Sequence, residues 1–534
     1  MVAEAALNAF FYVSATPARI LWCSEFVLLL PPLIIICRLS FSYILSSGKR
    51  IPFGLFSLLS LFRIFVKKFY VMFSKEIYSN RRSRLAKRIN DGIILLLGNS
   101  EAPCNYAGNC YKFRQDSSFL YFAGLNDPDM ALVMDANSGE EILFGNDVDI
   151  DDIIWMGPQP SLTDKAESVG IAKARPFADI FSYIGEQASK GRAIHFLPPY
   201  RNHNKILLNQ MLGIAVGSLK EKASVKLIKA VADMRLIKEE CEIEQIELAC
   251  NIGYAMHYTA MKMAKLGMKE QELYGIMEGI AHSQGAMTSF ATILSQNGET
   301  LHNHSHHQTL TEGRMIVIDA GAENNMNYCS DFTRTIPSSG KFTPVQRDVY
   351  NIVSAGNNLA LSMARPGVTY KEVHLAVCRL IAQGLINMGL MKGDVDEAVA
   401  TGAHALFMPH GLGHNMGLDV HDMEDLGEDY VGYDSTYKRD SQFGLASLRM
   451  GKMLHPGHVL TDEPGIYFIP ALIDKWKAEG INKDFINFAE LEHFRTFGGI
   501  RLEDDILITK SGCRLLGAKR LPITPEDVEA EMRG

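Results

Sequence analysis

No two of the nine cysteines form a CxxC pair, and their spacing follows no regular pattern. That excludes a zinc ribbon and speaks against a secreted disulfide framework, so a reducing, cytoplasmic setting is expected. Positive charge is not in excess either. The formal net charge is −8 over 534 residues, and nucleic acid, whose phosphates call for clustered cations, is not the expected partner. Long apolar runs are missing too. "FVLLLPPLIIIC" (Phe26–Cys37) and "IPFGLFSLLSLF" (Ile51–Phe62) are each short of the roughly twenty residues that span a bilayer, and Pro31-Pro32 breaks the first.

Those two runs set residues 1–71 apart. Arg38, Lys49, Arg50, Arg63, Lys67 and Lys68 surround them, giving a hydrophobic, basic leader. It reads either as an anchor or as a start upstream of the true one at Met72. If Arg38 is tolerated, Phe26 to Leu45 forms one imperfect span, and basic flanks suit a membrane surface. Membrane contact is therefore expected only through 1–71.

The remainder has the composition of a folded enzyme, 47% apolar and 21% charged, and its length favours more than one domain. Residues 72–235 read as mixed α/β. "ALVMD" (Ala131–Asp135) and "EILFG" (Glu141–Gly145) flank "ANSGE", a hairpin signal, and "AIHFLPP" is a strand stopped by proline. No ligand cluster falls there, which makes this a supporting domain.

From 236 to 534 the pattern changes. Ile243, Ile246, Cys250, Met256, Ala260 and Met263 keep helical spacing behind an acidic first turn, with Gly267 as the expected stop. A second helix is expected over Lys269–His282. After strands the order recurs, with helices over Pro344–Ala364 and Tyr370–Met388. Two helix-helix-strand units predict an α+β domain with internal pseudo-symmetry.

The chemistry lies between these helices. In "MIVIDAGAENNMNYCSDFTRTIP" a hairpin centred on Asn325 puts Asp319 opposite Asp331, with Cβ atoms roughly 5 Å apart. Two like charges that close need a shared proton or a cation between them. Cys329, beside them, is expected to be a small buried residue. Glu463 precedes a Pro-Gly turn in "HVLTDEPGIYFI". "GGIRLEDDILIT" alternates, so Ile500 and Leu502 face one way, Arg501 and Glu503 the other. Asp462, Asp504 and Asp505 compete for the same assignments.

"MPHGLGHNMGLDVHD" (Met408–Asp422) adds three histidines, with glycines for close backbone approach and His421 after strand-like residues. "LHNHSHHQ" (Leu301–Gln308) adds four more. Four carboxylates from separated strands plus one imidazole suit a mostly oxygen site for two divalent ions, held ~3.5–4 Å apart around one water or hydroxide.

Together these motifs resemble the pita-bread metallopeptidases, in the aminopeptidase P and prolidase branch, from about Tyr78 to the carboxyl terminus. "IDAG", "SDFTRT", "HGLGH", "EPGIY" and "RLEDD" place that family's five metal ligands on Asp319, Asp331, His414, Glu463 and Glu503. "YKFRQDSSFLYFAGLNDPD" (Tyr111–Asp129) resembles the amino-terminal domain of the Xaa-Pro-cleaving members.

The resemblance implies a pita-bread catalytic domain over 236–534, after an amino-terminal domain of the aminopeptidase P type over 72–235. It puts His302 and His421 beside the scissile peptide, gives Glu463 the proton transfer, and assigns His410 and Tyr467 to substrate. Arg501 and Tyr467 would form a relay with Asp319. The implied activity is that of an Xaa-Pro aminopeptidase with two divalent ions, Mn2+ first and Co2+ or Zn2+ as substitutes, in a homodimer or homotetramer. An Xaa-Pro dipeptidase is the nearest alternative; a metal-free creatinase-like hydrolase or a non-catalytic binding protein of this fold is more distant. The sequence departs from the family at His304, His306 and His307, which crowd His302, and at Met423–Lys452, an insertion that would cover the site or an interface.

Overall fold

Residues 73–533 are described in the computed structural model, and the 1–71 leader lies outside them. Among the described residues no helix is long and apolar enough to cross a membrane.

The first helix, α1 (Lys75–Ile89), buries two arginines against the segments that follow. Arg82 donates to the Glu141 carboxylate at 2.8 Å and to the carbonyls of Phe122 and Val169. Arg81 reaches Glu239 at 2.9 Å and the Tyr121 carbonyl at 3.1 Å. Buried guanidinium groups are tolerable only with such partners.

Beside α1 lies a five-stranded mixed sheet of β1 (Ile93–Leu97), β2 (Ala131–Asp135), β3 (Glu141–Gly145), β4 (Lys173–Pro176) and β5 (Ile194–Phe196), in the order β4-β3-β2-β1-β5. The "ANSGE" connection is the expected antiparallel hairpin, with Met134 opposite Glu141. The outer pairs β3–β4 and β1–β5 are parallel.

Two helices, α2 (Val225–Arg235) and α3 (Glu240–Met263), lead into the second part. Ile243, Ile246, Cys250, Met256 and Ala260 are buried, but Met263 is 44% exposed because it ends the helix. Gly267 is not the cap. The helix stops at Ala264, and Gly267 (φ 85°) shapes the turn into α4 (Glu270–Ser283), its N–H bonded to the Leu310 carbonyl.

Two further helices, α5 (Pro344–Met363) and α6 (Tyr370–Asn387), lie within a residue of their expected ends. Each opens on a reciprocal capping box, Thr343 with Gln346 and Thr369 with Glu372.

Behind the first helix pair come β6 (Ile293–Ser295), β7 (Met315–Ala320) and β8 (Phe332–Pro337), in the order β8-β7-β6. Behind the second come β9 (Val459–Asp462), β10 (Gly465–Tyr467), β11 (Gly499–Arg501), β12 (Asp504–Ile508) and β13 (Cys513–Leu515). These split into β9-β12-β13 and β10-β11. A bridge between Thr333 and Glu503 joins the two halves. Helix, helix, strand recurs as expected, and the result is α+β.

The hairpin register differs from expectation by two residues, which keeps the same face. Asp319 pairs with Thr333 and Ala320 with Phe332, which centres the turn on Met326 rather than Asn325. The Asn324 side chain sets this, accepting from the N–H groups of Met326 (2.9 Å) and Tyr328 (3.1 Å), while Asn327 takes a left-handed backbone (φ 65°). Thr333 therefore stands opposite Asp319. Asp331 is its diagonal neighbour on the same face, still within side-chain reach.

Candidate active site

Two breaks between paired strands bring the late carboxylates together. Glu463 lies where the chain leaves β9 for β10, and Glu503 where it leaves β11 for β12. At the second break Ile500 and Leu502 enter the core, while Arg501 and Glu503 turn the other way, as the alternation predicts. Thr333 links the halves by donating to Glu503 Oε2 at 2.6 Å.

The "HGLGH" segment lies along β9. Thr461 N–H donates to the His414 carbonyl at 3.0 Å, and Glu463 N–H to the Leu412 carbonyl at 2.8 Å. A Cβ on Gly413 would come within 2.1 Å of the Thr461 carbonyl oxygen, so only glycine permits this approach. Nδ1 of His414 is engaged by the Asn415 carbonyl (3.1 Å), which leaves Nε2 facing Asp331 Oδ2 at 3.5 Å and Glu463 Oε1 at 3.8 Å.

These groups open on a cavity of about 710 Å³. Asp319, Asp331, His414, Glu463 and Glu503 line it together with His302, His410, His421 and Arg501. Tyr467 does not. It is fully buried behind the wall, its hydroxyl taken by Arg501 (2.8 Å) and His410 (2.9 Å), in place of the direct substrate contact expected. Arg501 also donates to Asp319 Oδ2 and, at 3.2 Å, contacts the Thr333 hydroxyl.

Charge is concentrated here without enough cations. Burial first, then the neighbouring Glu503 and Asp319, holds the Asp331 carboxyl well above its ordinary range. Burial and Glu463 do the same to Glu503. Glu463 is pushed up to about 7 by burial, with Arg501 opposing. Burial, then the His421 ring, keeps His414 neutral, and burial with Arg501 takes His410 down to about 3. Asp319 Oδ1 and Asp331 Oδ1 are buried without a hydrogen-bond partner. One oxygen each of Asp331 and Glu503 and one His414 nitrogen lie within 4.8 Å of one another. Convergent acids, a neutral imidazole and unpartnered oxygens fit divalent cations.

His421 sits in an irregular loop, not beside a strand. Its ring is 4.1 Å from that of His414, and its Nδ1 is 2.6 Å from Glu424 Oε2. Of the crowded histidines, His302 and His304 line the cavity. His306 is instead a core residue, bonded to the Leu294 carbonyl (3.0 Å) and stacked on Tyr274, and His307 contacts Ser305 at the surface. Cys329 is buried, as expected.

Several supporting residues were not legible in the sequence. Arg334 donates to the Glu503 carbonyl (2.7 Å) and to Asp504. Asp505 accepts from the Asp331 N–H at 2.9 Å. Both competing acids are thus occupied away from the cavity, while Asp462 is buried without a partner on either oxygen. The 423–452 insertion contributes Ser447 and Arg449 to the wall.

Asp422 accepts from Arg235 (2.6 Å) and Lys238 (2.8 Å), with Asp419 as a second acid on Arg235 at 3.0 Å, and so fixes the loop that carries His421. From the other side, Ser117 donates to Asp419 at 2.6 Å and Arg114 reaches the Leu418 carbonyl. The "YKFRQDSS" motif thereby touches the same loop.

Two family profiles match the chain: metallopeptidase family M24 over residues 244–510, and the aminopeptidase P N-terminal domain over 78–195. The chain belongs to metallopeptidase family M24.

Its M24 relatives include the Homo sapiens Xaa-Pro dipeptidase, 32% identical over 486 residues, covering 86% of this chain and 93% of the relative. The Escherichia coli K12 Xaa-Pro aminopeptidase is 31% identical over 470 residues, covering 86% and 98%. Zn-substituted E. coli aminopeptidase P in complex with product superposes with a TM-score of 0.71 at 30% identity, over 86% of this chain and 98% of that one. The α+β pita-bread fold and the aminopeptidase P and prolidase branch follow, and M24 membership implies divalent metal ions.

Proposed function

We propose that this M24 peptidase releases the first residue from peptides with proline in second position. The observation that carries the reading is the convergence of Asp319, Asp331, His414, Glu463 and Glu503 on one cavity wall. Those five residues would hold two divalent ions, whose chemistry when bound would be activation of water at neutral pH and polarisation of the scissile carbonyl. Manganese suits the oxygen-rich donor set, with cobalt or zinc as substitutes.

The chain's own residues do the rest. Glu463 takes the proton of the attacking water and delivers it to the leaving proline nitrogen. His421 and His302 hydrogen-bond the tetrahedral oxygen. His410, neutral and held by Tyr467 and the Gly411 carbonyl, walls the proline side. Arg501 and Tyr467 orient Asp319 from behind. An Xaa-Pro bond is a tertiary amide without an N–H, so recognition rests on the shape of the pyrrolidine pocket. We divide the described chain at 235/236, the 72–235 domain bracing the His421 loop, and assign a homo-oligomeric state and a cytoplasmic setting.

A second reading, Xaa-Pro dipeptidase, is favoured by Arg449. This cation lines the cavity from the 423–452 insertion and matches the free carboxylate of a dipeptide. The size of the cavity favours the first reading, since residues beyond the second have room. Hydrolysis of Xaa-Pro and Xaa-Pro-Xaa peptides by manganese-loaded protein decides. Tripeptide cleavage is expected; activity confined to dipeptides moves the assignment to the second reading, and no cleavage of either overturns both.

A further inference from the structure

Away from the cavity wall, on α6, His374 and Cys378 stand one turn apart and so project from the same helix face. Facing them is His404, in the short helical turn Ala403–Leu406. All three are buried, with 0%, 0% and 1% exposure. The two imidazoles meet edge to face, ring centres 6.4 Å apart. One nitrogen from each and the Cys378 sulfur lie within 4.8 Å of one another.

Ordinary packing accounts poorly for this group. The Cys378 thiol approaches His374 Nε2 at 3.4 Å, which accounts for one contact. His374 Nδ1 and both nitrogens of His404 are buried without a partner. A neutral imidazole carries one donor and one acceptor, and leaving either unpaired in the interior costs about 1–3 kcal/mol. Three such nitrogens at one spot are more than a packing compromise leaves behind.

We infer that His374, Cys378 and His404 form a metal centre separate from the cavity, for a thiophilic d10 ion of the zinc(II) or copper(I) class. The donor set, one sulfur and two imidazoles without carboxylate, is that of a soft ion and differs from the oxygen-rich set on the cavity wall. Bond lengths of about 2.3 Å to sulfur and 2.0–2.1 Å to nitrogen give a tetrahedral S–N edge of roughly 3.5 Å. The 3.4 Å between Cys378 and His374 already matches that edge, and His404 offers the third ligand atom within 4.8 Å of both.

Both imidazoles are held neutral by burial, the form that ligates. Binding exchanges the thiol proton for the ion: the S–H bond breaks, a sulfur–metal bond forms, and one proton leaves to solvent. One thiolate with two neutral imidazoles neutralises copper(I) fully. It leaves zinc(II) with one positive charge, which an anion in the fourth position would balance.

The consequence lies in the backbone. His404 opens the segment that runs through Phe407, whose carbonyl accepts from Tyr467 N–H at 2.9 Å, to His410 in the cavity wall. An ion at His404 would pin that segment to α6. Such enclosed ligands take up their ion as the chain folds.

The test is made on the full chain produced in zinc-, copper- or cobalt-supplemented medium. Elemental analysis is expected to find one more equivalent of zinc or copper per chain than in Cys378→Ala or His404→Gln, and the supplement retained identifies the ion. The cobalt protein is expected to show a near-ultraviolet thiolate-to-cobalt band, absent from both variants. Cavity ligands contain no sulfur, so the band is independent of the peptidase reading and of activity. Equal zinc and copper content in all three proteins, or an extra zinc equivalent with no thiolate band in the cobalt protein, overturns the proposal and leaves a buried Cys–His contact. If a variant fails to fold, Cys378→Ser, which keeps the side chain's size but removes its sulfur, takes its place.

Discussion

Arg501 holds Asp319 by its carboxylate and Tyr467 by its phenol, one guanidinium joining a cavity-wall acid to a fully buried ring. A lysine cannot reproduce this, because a single ammonium lacks the planar fork that reaches both partners. Arg501→Lys is expected to lower metal affinity and kcat/KM together by about 10- to 100-fold, the usual effect of losing a group that orients a ligand. Metal titration alongside steady-state kinetics checks it. Unchanged metal affinity would remove Arg501 from the set that positions Asp319.

His421 lies against the His414 ring and is oriented by Glu424. His421→Ala is expected to reduce kcat on Xaa-Pro peptides by about 10²–10³ with little change in KM, the pattern of a group that bonds only the transition state. A rise in KM alone would make it a ground-state contact. The Glu424 carboxyl is held down to about 2 by its bond from His421, so Glu424→Gln is expected to show a smaller loss in the same direction.

Without metal, the crowded carboxylates make stability depend on pH. Glu463 is raised from 4.5 to about 7, so the folded chain holds its proton more tightly than the unfolded chain does. That contribution is fully present below 4.5 and is lost as pH rises through about 7. Asp331 and Glu503, also raised by burial, contribute in the same direction. Chelated protein is therefore expected to melt at lower temperature as pH rises across this window, and less steeply in Glu463→Gln. Added Mn2+ should reverse the trend, since it binds the deprotonated groups. Parallel melting curves for chelated wild type and variant would contradict it.

Asp422 is buried between Arg235 and Lys238. Asp422→Ala strands Lys238 in the interior and leaves Arg235 only the half-exposed Asp419, and is expected to cost about 3–5 kcal/mol. Denaturant unfolding of the metal-loaded protein measures this. A loss below about 1 kcal/mol would mean that Asp419 suffices for Arg235 and that water reaches Lys238.

Local pattern was enough for much of the fold. The starts of α5 and α6 follow from Thr343 with Gln346 and Thr369 with Glu372, each pair only a helical turn apart. The "ANSGE" hairpin is equally local. The register at Asp319 was not, because it turns on which backbone groups the Asn324 side chain captures. Met263 carries the apolar spacing of its helix yet ends in solvent, since periodicity does not report where a partner surface stops.

Residue type and spacing by themselves determined the element order, the two-part organisation and the five motifs that mark an M24 chain, because each of these is written in neighbouring residues. Only the tertiary structure decided which acids face the cavity. Glu503 reaches it, while Asp504 and Asp505 turn to Arg334 and to the Asp331 backbone, and partners lying 170 and 174 residues away set that division. The same holds for Thr333, for Arg449 and for the pairing of His404 with His374 and Cys378. A side chain's chemistry depends on what surrounds it, and the surroundings come from distant chain brought together by burial.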